Sequence, residues 1–521
     1  VKYKKVEITN FESTPYNPKF SYDIFGDLTT PFYVEFGAPL PGLPDREVKS
    51  DNSQYGIYVQ DDWDVTNKLQ LNLGVRYDYE KTPSFLNYVT PTDILAAFNT
   101  QDTNPGDASL GHAPAPPGQT YAQTLALGGV DISGYISNGH NRKAFKDGIQ
   151  PRLGFSYDLF EDQRHVVYGG VGRSYDRNVF DYIARETSKG TYPTYRRFIN
   201  SPTKACTPGV GDCLAFSPAL YQQATLEALV ASNPALGREF YMIDNDLKTP
   251  YSDQFSLGIR NRVLLGEQDW VTSAGVSYIE SHDGIVFLLG NRWPDGTFRT
   301  PGTTWGGQPF GSGIPGYGSF FLGKNGLETR LKSVLLSAEK PYTPESGWSA
   351  TLAYTFSDAK ENRSNTGSAD ETFLFDYAEV SGYGWHPSTS VAKHRIVMTG
   401  IYDVPWGFNL SAKWTLASPE YDQRYNCVDA IDLKHCFPDP AKPDTTFGFK
   451  QFDLAASKDF ELNDFTVRVR ADVLNVFNNA NVDEYNLPDG TPQRPDPAFL
   501  TPRTYLQPTR TFKLSVSAGW K

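Results

Sequence analysis

Apolar and polar positions alternate with a period of two along most of this chain. In residues 68–80, Leu69, Leu71, Leu73, Val75 and Tyr77 fall on one phase, and Gln70, Asn72, Gly74, Arg76 and Asp78 on the other. Such a segment is a strand with one apolar and one polar face. The preceding segment 54–64 (QYGIYVQDDWD) runs into it across Val65, Thr66 and Asn67. The same construction returns at 149–159 with 163–175, 251–263 with 267–281, 326–341 with 347–360, 393–404 with 406–417, and 447–460 with 464–478. A last strand, 507–521, stands alone, and Val1 to Phe11 alternates as well, running into a loop that ends near Ser50. These segments predict fourteen strands.

The connections are of two kinds. Short turns join the members of each pair, Pro405 to Gly407 being the tightest, and loops of roughly 30 to 75 residues separate one pair from the next, at about 81–148, 176–250, 282–325, 361–392, 418–446 and 479–506. Short turns on one side and long loops on the other are what a membrane barrel shows between its periplasmic and extracellular ends. A soluble sandwich seldom carries six structureless loops of that size on one edge. One loop predicts a helix over the barrel mouth: Ser217 caps it, Pro218 suits its first turn, Leu220, Leu226, Leu229 and Val230 give its apolar spacing, and Asn233 and Pro234 end it.

Composition sharpens this picture. Aromatics make up 14% of 521 residues, with Tyr 31, Phe 33 and Trp 9 against Met 2, which favours strands and membrane interfaces. The mean hydropathy of −0.46 and the lack of long apolar runs exclude spanning helices but not a barrel, in which lipid-facing and lumen-facing residues average out. The net charge of −12 sets nucleic acid aside as a partner. No composition break divides the chain, so residues 1–521 are one domain. Cys206 with Cys213 and Cys427 with Cys436 form two short-range pairs in Pro-, Gly- and Asp-rich segments, expected as extracellular loop disulfides. The chain begins at Val1 with a strand-like segment in place of a signal peptide, so further sequence is expected upstream.

Several segments carry a resemblance. They are YGIYVQDDWDVTNKLQLNLGVRYDYE from Tyr55, IQPRLGFSYDLFEDQRHVVYGGVGRSYDR from Ile149, YSDQFSLGI at Tyr251 to Ile259, KHRIVMTGIYDVPWGF at Lys393 to Phe408, and VRADVLNVFNN at Val469 to Asn479. Together they resemble the C-terminal barrel of Oar-like TonB-dependent receptors, which commonly carry an NLFN-like sequence near the outer end of the penultimate strand. Leu474, Asn475, Val476, Phe477 and Asn478 occupy it here, with Val in place of the usual Leu. The resemblance implies an all-β fold, an antiparallel transmembrane β-barrel in the outer membrane of a Gram-negative bacterium, of which this chain supplies about fourteen of 22 strands. It implies a plug domain and first strands outside this sequence, energy from the inner-membrane TonB complex, and import of a scarce bulky ligand. A passive 14-stranded channel or surface adhesin is the rival, and a secreted glycan-binding β-protein fits poorly because it would expose an apolar belt. The last strand predicts one more residue, a terminal aromatic, after Lys521.

No catalytic constellation, cofactor or metal site emerges. GGVGRS at Gly169 to Ser174 lacks the lysine of a phosphate loop and sits in a predicted strand. The seven histidines are scattered without metal-ligand spacing, and the Asp- and Asn-rich stretch Gln101 to Ser109 lacks ordered calcium-ligand spacing. Arg76, Asp78, Arg152, Asp158, Arg468, Arg470 and Asp472 lie in the polar phase of their strands, which faces the lumen because a charge cannot face lipid cheaply; the resemblance implies that this wall grips the plug, with substrate contact as the second reading. Trp293, Trp305 and Trp385 are candidate ligand contacts in the extracellular loops, with loop packing as their competing role.

Overall fold

The structure is a computed structural model that describes residues 1–11, 18–41, 47–103, 106, 113–176, 180–290, 304–305, 308–309, 317–362, 373–374, 380–389, 391–422, 425–426, 437–438, 440–486, 498, 500–506 and 509–520. Its main feature is a ladder of long antiparallel strands in sequence order: β1 (Lys2–Phe11), β2 (Glu47–Asp64), β3 (Leu69–Lys81), β4 (Phe145–Asp158), β5 (His165–Tyr175), β6 (Tyr251–Leu265), β7 (Gln268–Leu289), β8 (Tyr317–Thr343), β9 (Trp348–Glu361), β10 (His394–Val404), β11 (Phe408–Ala417), β12 (Phe449–Leu462), β13 (Phe465–Leu474) and β14 (Thr511–Trp520). Each pairs with the next. Among the described residues no pairing joins β1 to β14.

Register fixes the faces. Leu71 lies opposite Trp63 and Phe155, Leu73 opposite Asp61 and Leu153, and Val75 opposite Val59 and Pro151, so the apolar phase of β3 continues into its neighbours with Asp61, near the short turn, as an exception. Opposed residues point to the same side of a sheet. The polar phase is equally continuous, with Gly74 opposite Arg152 and Arg152 opposite Gly172. The GGVGRS stretch lies within β5. A Cβ on Gly169 would stand 2.7 Å from the Ser256 carbonyl oxygen and 2.9 Å from the Phe155 ring, so glycine there admits close strand approach.

The long connections are not structureless, which corrects the sequence expectation. Strands Tyr33–Gly37, Thr194–Ile199 and Arg238–Ile243 form a second sheet region that joins β8 through a parallel pairing of Arg238–Ile243 with its upper end. Helices Thr92–Phe98 and Tyr121–Leu127 pack on it through Ile94, Phe98, Tyr121 and Leu125 against Phe240, Met242, Phe320 and Leu322. A second cluster joins Val34, Phe36, Tyr195 and Ile199 to Leu220, Leu226 and Val230. We call this assembly the cap.

β7 and β8 run further than the alternation predicts because their upper ends enter the cap, where Val286, Phe287, Leu288, Leu289, Phe320, Phe321 and Leu322 are buried. Burial on both faces turns alternation into a continuous apolar run. A register shift between Ser281 and Gly284, beside Asp283 with φ of 58°, marks the change. The predicted helix is present but broken: Ser217 caps a 3₁₀ turn, Pro218–Tyr221, and the α-helix Gln223–Ser232 begins after an extended Gln222. It packs into the second cluster of the cap.

Candidate functional site: the polar wall and the cap

The polar face of β2 to β7 carries a shallow trough of about 530 Å³ lined by Gln60, Asn72, Gly74, Arg152, Gly154, Gly172, Gln254 and Ser277 among others. Glycines at adjacent positions on neighbouring strands thin the wall, because each removes a side chain that would project from it. Arg152 has no ion-pair partner among the described residues.

The other predicted wall residues fall into three arrangements. Arg76 binds Asp78 through two bonds of 2.6 and 2.7 Å, and Gln150 also donates to Asp78. Far along the ladder, Arg468 pairs with Asp459 at 2.6 Å and Arg470 with Asp472 at 2.8 Å. Asp158 shares the phase of Arg152, but its carboxylate accepts the backbone N–H groups of Phe160 and Gln163 at 3.3 and 2.7 Å and so closes the short turn after β4. The structure therefore brings Arg76, Asp78 and Arg152 onto one stretch of wall and leaves Arg468, Arg470 and Asp472 on another.

The NLFN-like segment is a turn clamp. Asn475, fully buried with φ of 50°, donates its backbone N–H to Asp453 at 2.8 Å, and its side chain both donates to the Asn479 carbonyl and accepts the Asn479 N–H. Asn478 accepts the backbone N–H of Arg510 at the foot of β14. Two asparagines are needed because the amide tolerates the left-handed region and supplies both a donor and an acceptor.

Cys206 and Cys213 are disulfide-bonded in the cap, while Cys427 and Cys436 lie outside the described residues. So do Trp293 and most of Gln101 to Ser109. Trp305 belongs to a two-residue strand paired with Gln308–Pro309. Trp385 is 39% exposed, with the Arg330 guanidinium 4.0 Å above its ring. No metal-binding cluster occurs among the described residues.

Two charge networks in the cap were invisible to the sequence pattern. Arg142 meets Glu186 in a fork of 2.6 and 3.0 Å, both side chains buried, and also donates to the carbonyls of Phe85 and Ile243. Burial pushes the Glu186 carboxyl above its usual range, with Arg142 pulling against it. Arg196 bridges Glu35 at 3.0 Å and Glu239 at 2.7 Å, and Lys189 adds a contact to Glu239 at 3.4 Å. Burial would raise Glu239, but Arg196 and then Lys189 outweigh it and hold the carboxyl below its usual range. The partners are 43 to 161 residues apart, so no local signal could have found them.

Against this geometry the relatives can be set. The family model for an outer membrane beta barrel domain matches residues 41–416. The TonB-dependent transporter Oar of Myxococcus xanthus is 23% identical over 361 residues, which are 63% of this chain and 26% of that protein. Among solved structures, the outer membrane transporter YddB from Escherichia coli covers 99% of this chain with 50% of its own, at a TM-score of 0.53 and 14% identity. The pyoverdine outer membrane receptor FpvA from Pseudomonas aeruginosa PAO1 covers 94% of this chain with 48% of its own, at a TM-score of 0.42 and 11% identity. The chain thus spans about a quarter of the curated relative and half of the solved transporter.

Proposed function

The chain belongs to the outer membrane beta barrel domain family, and from that premise we propose that it forms the greater part of the barrel, and the extracellular cap, of an importer driven through TonB. Its apolar phase faces lipid and its polar phase the lumen, since a charge facing hydrocarbon is costly. The paired charges of β3 and β13, and the trough around Arg152, then meet a plug domain. Ligand capture falls to the cap and the neighbouring loops.

One observation carries this reading. Among the described residues β1 and β14 each have a single partner, and a ladder open at both edges would leave two rows of N–H and C=O groups unpaired in hydrocarbon, each costing several kcal/mol. Further strands, about eight if the barrel has the 22 of the TonB-dependent receptors, would therefore close it, supplied by the same protein or by a second chain. The relatives, which are transporters and receptors and not enzymes, support the same class.

Uptake separates this reading from the passive channel. The expected outcome is ligand accumulation that collapses when TonB is deleted, with no steady conductance from the purified protein in planar bilayers. A steady open conductance and uptake indifferent to TonB would sink import and favour the channel.

A further inference from the structure

One charge in the cap is buried without an ion-pair partner. Arg197 sits on the strand Thr194–Ile199, in the phase of Tyr195 and opposite Val34, so its side chain enters the second apolar cluster, among Val34, Phe36, Tyr195 and Ile199. It is 1% exposed. Its Nη1 donates to the Arg196 carbonyl at 3.1 Å, its Nη2 has no hydrogen-bond partner, and its Cζ lies 5.7 Å from the centroid of the Tyr195 ring. Among the described residues no carboxylate closes on it to ion-pair distance, in contrast to Arg196, which holds Glu35 and Glu239. A charge taken out of water without a paired counter-charge destabilises the arrangement that buries it.

What covers Arg197 is a lid that begins at a disulfide. The strand Cys213–Leu214 runs parallel to Phe198 and Ile199; the Asp212 carbonyl accepts the Phe198 N–H at 3.1 Å, and the Leu214 carbonyl accepts the Asn200 N–H at 2.9 Å. Beyond it Leu220, Leu226 and Val230, from the 3₁₀ turn and the helix Gln223–Ser232, close over the apolar face. Asp212 is the acid that faces Arg197. Burial pushes its carboxyl up against the pull of Arg197, and burial pulls the Arg197 guanidinium down to about 10. Docking the lid thus takes water from both charges without joining them in an ion pair. The Cys206–Cys213 bond ties the root of this lid to the loop that hangs from Asn200, whose Oδ1 accepts the Cys206 N–H at 3.2 Å.

We propose that this disulfide is a redox lock on the cap: oxidised, it holds the lid of residues 212–232 over Arg197, and reduced, it lets the lid lift so that the guanidinium regains water. The half-buried Cys206 offers the reachable sulfur, since Cys213 is 5% exposed. One thiolate of a dithiol attacks the Cys206 sulfur, and Cys213 leaves as a thiolate and takes up a proton. The second thiol of the reductant then attacks its own bound sulfur and releases Cys206 as a thiol. The protein gains two electrons and two protons, and the dithiol becomes a disulfide. A staple on a relaxed loop would change little when cut. Here its loss frees the root of a lid that covers an unpaired charge, so the redox state of the medium sets how firmly this half of the cap is closed.

The inference needs the packing of the cap but neither the lipid facing of the ladder nor import, so its failure leaves the transport assay untouched. The test is hydrogen-exchange mass spectrometry of the purified protein in a C427S/C436S background, before and after dithiothreitol, with alkylation confirming that both remaining thiols are free. Reduction should quicken exchange at least about tenfold in Gln223–Ser232 and Thr194–Ile199, and leave Tyr121–Leu127 within about twofold. Arg197→Met replaces the charge by an apolar chain. Its oxidised lid should exchange more slowly than the parent's, and reduction should quicken it less than about threefold. Equal quickening with and without Arg197 marks an ordinary staple and overturns the proposal. A lid unchanged by reduction overturns it, as does an oxidised Arg197→Met lid that exchanges faster than the parent's.

Discussion

Leu73 in β3 and Phe36 in the cap are both apolar strand residues, yet Leu73 is 36% exposed and Phe36 is 0%. The ladder turns its apolar phase outward, where lipid replaces a core, and its cohesion rests on the backbone pairing of each strand with its neighbours. The cap instead buries its own apolar surface, in the clusters around Phe98 and Phe36. Among the described residues, the ion pairs with both side chains buried lie in the cap. The difference teaches that one chain can obey two solvents, and that facing rules valid in one region fail in the other.

The largest effect that would break this comparison is at the Arg142–Glu186 pair. Glu186→Gln leaves a buried guanidinium without its counter-charge, at a cost of about 3 to 5 kcal/mol. Hydrogen exchange should then rise in the segments Phe180–Thr191 and Arg238–Ile243 while β3 to β5 keep their protection. If both regions loosen together, cap and ladder are one cooperative unit.

Next in size is the facing of the ladder. Leu71→Arg near mid-membrane should cost about 2 to 4 kcal/mol, and Asn72→Arg much less, read from urea titrations of refolding into lipid vesicles. Equal costs would reverse or abolish the assigned faces.

The clamp after β13 should show a smaller loss. Asn475→Ala removes two hydrogen bonds at a positive φ, worth about 1 to 2 kcal/mol, and Asn475→Gly, which tolerates that φ, should recover part of it. Identical losses in thermal unfolding for the two variants would show that the backbone conformation contributes nothing.

The smallest expected effect is on pH. Glu239 has a depressed carboxyl, so its contribution is complete above the ordinary glutamate value of about 4.3 and disappears as pH falls through the lower folded value. Wild-type cap stability should drop below pH ~4.5 more steeply than that of Glu239→Gln. Parallel curves would mean that Arg196 and Lys189 do not hold Glu239 ionised.

Much of the ladder was readable because β-sheet facing is a local code. Leu69 to Tyr77 announce two faces within nine residues, and short turns such as Pro405–Gly407 announce which strands are neighbours. The helix at Ser217 was readable for its cap and its end, but the break at Gln222 was not, because it answers to the packing of Leu220 and Leu226 on Phe36 and Tyr195. The predicted wall charges kept their phase, yet Asp158 went to a turn and Arg468 to Asp459, choices made by register and reach. Of the three tryptophans, Trp385 lies against Arg330, Trp305 belongs to a two-residue strand, and Trp293 lies outside the described residues.

By itself the sequence determined the class of structure, the number and order of its long strands and the phase of each, since alternation and turn length act over neighbouring residues. Tertiary structure alone decided that the long connections form a cap, and that Arg142 meets Glu186 and Arg196 meets Glu35 and Glu239. Those contacts join residues tens to hundreds of positions apart, and their energies exist only once the chain has brought them into a shared dielectric.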